Sequence, residues 1–217
     1  MKKALSILTA GCLAVSLAAC GSTAASSAAS AADSTASSAA ESTVASDTAA
    51  ADGQTYKVGI CQLVQHVALD AATQGFKDAL TEQLGDAVTF EEKNAQGDSN
   101  TCSTIINGFV SDNVDLILAN ATPALQAAQA GTSDIPILGT SVTDYGTALG
   151  ISDWTGKTGT NISGTTDLAP LDGQADMLKE LFPDAKNVGL IYCSAEANSN
   201  YQIKEIKGYL EEMGYTC

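Results

Sequence analysis

Beyond residue 55 the chain alternates between short apolar runs and longer segments in which apolar residues recur at helical spacing. The short runs predict buried strands, and the recurring positions predict helices that each bury one face. The predicted strands are 56–64, 87–92, 114–119, 135–139, 161–166 and 187–192. The predicted helices are 69–84, 99–113, 123–130, 172–182 and 200–213, and the Gly- and Thr-rich residues 144–160 are predicted to form a loop. This alternation predicts an α/β fold, with a parallel sheet flanked by helices.

The first 54 residues have a different pattern. A short basic start and an apolar stretch to residue 19 predict a secretory signal peptide, too short to be a membrane-spanning helix. Leu17-Ala18-Ala19-Cys20 resembles the bacterial lipobox, which implies cleavage before Cys20 and a lipid on that cysteine. An ordinary secretory signal with an incidental cysteine is the alternative. Residues 20–54 are rich in Ala, Ser and Thr and predict a disordered tether between the anchor and the folded part.

The charge balance excludes one class of partner. The chain of 217 residues has a formal net charge of −15, and its ten basic residues are all lysines. An acidic chain without arginine argues against nucleic-acid binding. It also lacks the bidentate guanidinium that usually holds a carboxylate or phosphate. An anionic group on a ligand would therefore be held by hydroxyls, backbone N–H groups or lysine.

Four cysteines lie beyond the proposed tether, at Cys61, Cys102, Cys193 and Cys217. None has CxxC spacing, so a zinc site or a redox motif is not expected. Export would permit disulfides. For Cys61, in the first predicted strand, and Cys193, directly after the last one, we favour buried free thiols.

Candidate ligand-binding residues follow from the predicted topology, because ligands of parallel α/β sheets bind beyond the carboxyl ends of the strands. Short hydrogen-bonding side chains are dense at these positions, which favours a polar cleft for a small ligand. The alternative is that strand–helix loops are polar in any case, with Thr122, Ser141 and Ser199 as helix N-caps. The candidates are Gln65, His66, Asn94, Thr122, Ser141, Thr143, Asp144, Asp167, Ser194, Glu196 and Asn198.

No catalytic residue is predicted. His66 is the single histidine, and no nucleophile elbow, metalloprotease motif or phosphate-binding loop accompanies it. The carboxylates are dispersed, so neither a metal nor a cofactor is expected. We interpret His66 as a residue at a helix start or at the rim of a cleft.

Several segments together resemble the substrate-binding lipoproteins of ABC transporters of the tryptophan/tyrosine type, which are similar to type I periplasmic binding proteins. The resemblance begins near residue 56 and runs to the last residue. Its segments are VGICQLVQHVALDAATQGFKDAL (58–80), NAQGD (94–98), VDLILANATPALQAA (114–128), DIPILGTSVTD (134–144), NISGTTDLAP (161–170) and VGLIYCSAEANS (188–199).

The resemblance implies two α/β lobes with a ligand in the cleft between them. Residues 55–166 would form the first lobe, and 167–217 a hinge and the start of the second. About three more βα units, on the order of a hundred residues, would complete such a lobe. We therefore expect one complete lobe, half of the cleft, and weak ligand binding or none.

The resemblance also implies a function: an extracytoplasmic, lipid-anchored component of an ABC importer that delivers an amino acid to permease and ATPase subunits. Thr122, Ser141 and Thr143 would then donate to the ligand carboxylate. Asp167 or Glu196 would face the ammonium group, and Gln65 and His66 would line the side-chain pocket. A sensor domain that presents a solute to a receptor, an enzyme on a similar scaffold and a ligand-free surface protein are the alternatives.

Overall fold

The computed structural model describes residues 53–217. The proposed signal peptide, the lipid site at Cys20 and most of the tether lie outside these residues. Five strands form one sheet, in the order β2-β1-β3-β4-β5, and every neighbouring pair is parallel. The strands are β1 (Tyr56–Gln62), β2 (Val88–Asn94), β3 (Leu116–Asn120), β4 (Ile137–Val142) and β5 (Ile162–Thr166). The predicted parallel sheet is thereby confirmed, with strand ends shifted by up to three residues.

Six helices connect or follow these strands. They are α1 (Val67–Leu84), α2 (Ser99–Ser111), α3 (Thr122–Gly131), α4 (Tyr145–Leu149), α5 (Leu171–Leu181) and α6 (Ala197–Glu212), and a 3-10 turn (Gly85–Ala87) follows α1. Side chains of α1 such as Phe76 and Leu80 pack on one face of the sheet, against Val58, Ile60 and Leu118. The opposite face carries α2, α3 and α4. Helices therefore cover both faces, as expected for a parallel sheet.

The chain order places a topological switch point between β1 and β3. From β1 the chain crosses to β2 on one side, and from β2 it returns past β1 to β3 on the other. The loops after β1 and β3 therefore diverge at the carboxyl edge of the sheet and leave a crevice there. This is where ligands bind in open α/β sheets.

Two predicted elements are wrong. Residues 187–192 form no strand: one isolated bridge joins Asn187 to Thr216, and Ile191 is 99% exposed. An apolar run becomes a strand only when neighbouring strands satisfy its backbone, and the described residues supply none beyond that bridge. The predicted loop 144–160 contains the short helix α4, because Asp144 caps its first turn and Gly150 ends it in the left-handed conformation. Cys193, expected to be buried directly after the missing strand, is exposed.

The last third of the described chain packs mainly on itself. Helices α5 and α6 enclose a small apolar cluster that contains Ala175, Leu210 and Tyr215. Helix α6 also packs against α4 and reaches the carboxyl edge of the sheet, where the Gln202 Nε2 donates to the Thr143 Oγ1 at 3.4 Å. This segment therefore reaches the edge at which the candidate site lies.

Candidate functional site

The N-terminus of α3 is the most unusual feature of the carboxyl edge. β3 ends at Asn120, and the next residue, Ala121, has a φ of 95°, which side-chain-bearing residues rarely adopt. This turn brings Thr122 into the first position of α3 with only 2% of its surface exposed. Within residues 53–217, the Thr122 Oγ1 is buried and has no hydrogen-bond partner. The Oδ1 of the preceding Asn120 is likewise buried and unpaired. A buried polar group left unpaired costs about 1–3 kcal/mol, so a ligand atom that reached this turn would remove that cost.

The backbone around Thr122 favours a negatively charged partner. The first-turn N–H groups of a helix lack intrahelical acceptors, and the helix dipole is positive at that end. Pro123 follows Thr122 in the first turn, where its missing N–H removes no intrahelical bond. An unpaired hydroxyl beside free N–H groups is a set of donors suited to an anionic oxygen.

A buried polar network fixes the turn that precedes α3. The Asn120 Nδ2 donates to the carbonyl oxygen of Leu69 and to the Thr73 Oγ1, both at 2.9 Å. The Thr73 hydroxyl donates to the Gln62 Oε1 at 2.7 Å, and the Gln62 Nε2 donates to the Asp70 Oδ1 at 2.6 Å. Gln62, Thr73 and Asn120 are each at most 3% exposed. The network therefore ties the ends of β1 and β3 to α1 at the switch point.

The end of β4 contributes a second irregular turn. The β4–β5 register shifts between Gly139 and Val142, and Ser141 in this bulge has a φ of 54°. Thr143 follows and is 6% exposed. Its hydroxyl accepts from Gln202, and its carbonyl accepts from the Thr166 hydroxyl at 2.7 Å. Thr143 is thus held from two sides at the same edge as Thr122.

A cavity of about 620 Å³ opens beyond β4 and β5. Its aromatic wall is a stacked pair, with the Tyr145 and Trp154 ring centroids 6.4 Å apart and their planes at 12°. Apolar and hydroxyl-bearing side chains and glycines form most of the rest. The lining residues are Thr143, Asp144, Tyr145, Trp154, Gly156, Lys157, Thr158, Gly159, Ile162, Ser163, Gly164, Thr166 and Leu168. A flat, largely apolar wall of this kind suits an aromatic group.

Tyr145 is held rigidly as part of that wall. Its hydroxyl donates to the carbonyl oxygen of Thr165 at 3.2 Å. The ring fits because β4 and β5 carry Gly139 and Gly164 beneath it, and a Cβ on either would collide with the Tyr145 hydroxyl. Burial, and next the nearby Asp167 carboxylate, raise the pKa of Tyr145 to about 12. The side chain therefore stays neutral and remains a hydrogen-bond donor at physiological pH.

A second cavity, of about 670 Å³, lies on the other side of the switch point. It is more polar than the first. Its lining residues are Gln62, Val64, Gln65, Asp70, Thr73, Gln74, Glu92, Asn94 and Gln96. The structure therefore brings the predicted residues Gln65 and Asn94 together, apart from the aromatic wall. The Asn94 Oδ1 accepts from the backbone N–H of Gln96 at 2.8 Å, so it also shapes the turn after β2.

The remaining predicted residues lie at helix starts or at exposed positions, except Asn198 in the first turn of α6, whose Oδ1 is buried and has no partner among residues 53–217. His66 is the N-cap of α1, where its Nδ1 accepts from the backbone N–H of Ala68 at 3.2 Å. Asp144 is the N-cap of α4, and its Oδ1 accepts from the Thr147 N–H at 2.7 Å. Asp167 is exposed directly after β5. None of Ser194, Glu196 and Asn198 lines either cavity.

The helix bounds exclude the alternative interpretation in which three candidate hydroxyl residues are helix N-caps. Thr122 is inside α3, Ser199 is inside α6, and Ser141 belongs to β4. Ser199 instead donates to the Glu196 Oε2 at 3.3 Å, within the first turn of α6. The buried hydroxyl of Thr122 is therefore not explained by capping.

Sequence reasoning missed the aromatic wall. Tyr145 and Trp154 fall in the segment that we predicted to be a loop, and neither was among the candidate residues. The available signals were the single tryptophan of the chain and its position between glycines. Stacking between residues on a short helix and the following loop becomes visible only from their positions in the structure.

Residues 53–217 contain neither a helix able to span a membrane nor a cluster of metal-binding side chains. No helix there combines the length and apolar character needed to cross a membrane. No group of three or more His, Cys, Asp or Glu side chains there could hold a metal ion.

Comparison with known proteins identifies the family. The model for ABC transporter substrate binding proteins matches residues 57–217. A tyrosine-binding protein of Clostridioides difficile is 38% identical over 218 residues, which cover 99% of this chain and 59% of that protein. The crystal structure of an ABC domain in complex with L-Trp from Streptococcus pneumonia shows a TM-score of 0.70 at 34% identity, over 75% of this chain and 56% of that chain. A leucine-binding protein from Thermotoga maritima, at 13% identity, shares the fold, with a TM-score of 0.59 over 75% of this chain and 47% of that chain.

The protein belongs to the ABC transporter substrate-binding family. Its described part has the parallel sheet and flanking helices that the sequence predicted, and the likeness to periplasmic binding proteins is confirmed. The chain spans slightly more than half of the length of the relatives it matches.

Proposed function

We propose that the protein is the extracytoplasmic solute-binding component of an ABC importer and that its solute is an amino acid with an aromatic side chain. The main support for this ligand class is the buried, unpartnered hydroxyl of Thr122 at the N-terminus of α3. A carboxylate placed there would accept from the hydroxyl and from first-turn N–H groups, without any arginine. The Trp- and Tyr-binding relatives named above support the same ligand class.

The charge of the chain favours a zwitterion over a simple anion. With a net charge of −15, the protein repels a ligand that is negative overall, whereas an amino acid carries no net charge. Asp167 and Glu196 are acidic candidates for the ammonium group, one after β5 and the other at the start of α6. Permease and ATPase partners and the lipid anchor at Cys20 belong to this proposal through the family.

Of the two cavities, the one lined by Tyr145 and Trp154 is the better candidate for the aromatic side chain. It lies beyond β4 and β5, on the same edge as Thr122, and it is the less polar of the two. The more polar cavity next to Gln65 and Asn94 would then remain filled with water. The variant Trp154→Ala should bind free L-tryptophan more weakly than the parent does, and the loss should be smaller for free L-alanine.

The test is an NMR titration of the full chain, uniformly labelled with ¹⁵N, with L-tryptophan and L-tyrosine. The method detects weak binding and locates it. We expect shifts at the backbone amides of Ala121, Thr122, Ala124 and Leu125, the residues around Pro123 that carry an N–H, and at the Trp154 indole N–H. Thr122→Val should weaken binding about 10-fold or more, since a hydrogen bond to a charged group contributes about 1.5–3 kcal/mol.

Thr122→Ser is the matched control, because it keeps the hydroxyl and should retain most of the affinity. The proposal fails if saturating amino acid leaves the α3 amides unshifted, or if the valine variant binds as well as the parent.

A further inference from the structure

Helix α2 approaches β1 unusually closely at one glycine. A Cβ on Gly59 would lie 2.6 Å from the ring of Phe109, so the ring rests directly on the strand backbone. Phe109 is 1% exposed. A larger residue at position 59 would hold α2 away from the sheet.

Two cysteines lie near this close contact between α2 and β1. Cys61 is two residues beyond Gly59, on the same face of β1, and Cys102 is two helical turns before Phe109, on the same face of α2. Both cysteines are 0% exposed and belong to one apolar cluster. Each thiol is also the largest cause of the other's pKa shift: the Cys102 thiol raises the pKa of Cys61, and the Cys61 thiol lowers the pKa of Cys102. The two thiols therefore face each other across the helix–strand interface.

We propose that Cys61 and Cys102 join in an intramolecular disulfide when the chain folds in an oxidising compartment. Close approach of the two backbones is what such a bond requires, because its Cα atoms usually lie within about 7 Å. Both side chains are buried in the final fold, so the bond forms during folding, while the thiols still reach an oxidant. The bond would join the first strand to α2 and enclose α1 and β2 in its loop.

The chemistry needs a disulfide-bearing oxidant, either oxidised glutathione or a protein disulfide. The Cys102 thiolate attacks one sulfur of that disulfide and releases the first thiolate, which takes up a proton. The Cys61 thiolate then attacks the Cys102 sulfur of the mixed disulfide and releases the second thiolate. Two protein thiols are oxidised, one external disulfide is reduced to two thiols, and the two protons pass to the released thiolates.

The test is refolding of the full chain in a glutathione redox buffer, followed by acid quenching, alkylation under denaturing conditions without reductant, and digestion after lysine. Cleavage at Lys57 and Lys77 isolates Cys61 in peptide 58–77. Cleavage at Lys93 and Lys157 isolates Cys102 in peptide 94–157. We expect these two peptides linked to each other, and two new alkylation sites after reduction. The linked peptide should persist at glutathione ratios that already free the exposed Cys193 and Cys217 from mixed disulfides.

The variant Cys193→Ser/Cys217→Ser is the matched control, because it removes the two exposed thiols of residues 53–217 and should leave the linked peptide unchanged. Alkylation of both Cys61 and Cys102 in the unreduced sample would overturn the proposal. So would pairing of either cysteine with any of the other four cysteines of the full chain in the folded monomer. Neither readout depends on amino-acid binding or on export, so failure here is separate from failure of the proposed function.

Discussion

Two buried threonines should respond in opposite ways to the same substitution. Thr122 and Thr73 are 2% and 3% exposed, so burial does not distinguish them. The Thr122 hydroxyl has no partner within residues 53–217. The Thr73 hydroxyl donates to the Gln62 Oε1 at 2.7 Å and accepts from the Asn120 Nδ2 at 2.9 Å. Valine replaces the hydroxyl by a methyl group of similar size in both cases.

The expected magnitudes follow from these partners. Thr122→Val removes an unsatisfied buried group and should raise the free energy of unfolding by about 1–3 kcal/mol. Thr73→Val leaves the Gln62 Oε1 without its donor and the Asn120 Nδ2 with only the Leu69 carbonyl as acceptor, and should lower it by a similar amount. For a domain of this size, 1 kcal/mol corresponds to a shift of roughly 2–4 °C in the thermal midpoint. The two variants should therefore melt several degrees on opposite sides of the parent.

The assay is urea denaturation, followed by circular dichroism, with thermal melts in parallel. The slope of the unfolding free energy against urea concentration should be the same in the parent and both variants. The differences in stability can then be assigned to contacts in the folded state. A loss of stability in Thr122→Val comparable to that in Thr73→Val would refute the reasoning, because the Thr122 hydroxyl would then have a partner in the unliganded protein.

Three further predictions concern packing, capping and pH. Gly59→Ala should destabilise the fold by about 1–3 kcal/mol in urea melts, because its methyl group would overlap the Phe109 ring, and a stability equal to that of the parent would contradict this contact. Asp98→Ala should cost about 1 kcal/mol by removing the N-cap of α2, whereas Asp98→Asn should retain most of it; equal losses would exclude capping as the cause. Because the pKa of Tyr145 is raised to about 12, its contribution to stability is complete below pH 10, the ordinary tyrosine range, and is lost as the pH rises through about 12. Absorbance titration should show a late-ionising tyrosine that is missing in Tyr145→Phe, and an unchanged number of late-ionising groups would contradict the assignment.

The strands and long helices could be predicted because each has its own hydrophobic period. β1 and β3 are buried apolar runs, and α1 and α2 repeat apolar residues at helical spacing. The five-residue helix α4 could not be found this way, because it is shorter than two turns and depends on the caps at Asp144 and Gly150. The run at 187–192 was misread for the opposite reason, since its pattern is that of a strand but it has no strand partners among residues 53–217.

The candidate site was only partly accessible from sequence. Thr122 could be placed after a strand, because the parallel topology followed from the element order. Its unpaired hydroxyl and the φ of 95° at Ala121 depend on how the turn closes, which periodicity does not encode. The wall formed by Tyr145 and Trp154 likewise depends on the two glycines beneath it, in strands that lie next to each other only in the folded sheet.

The central claim is that the N-terminus of α3 binds the carboxylate of an amino acid. The most direct measurement compares the dissociation constants of L-tryptophan and tryptamine by NMR titration of the same protein. Tryptamine keeps the ring and the ammonium group and lacks only the carboxylate. The account predicts that tryptamine binds at least about 10-fold more weakly and leaves the Thr122 amide unshifted, because a charge-assisted hydrogen bond contributes about 1.5–3 kcal/mol. Equal affinity for the two ligands would contradict it.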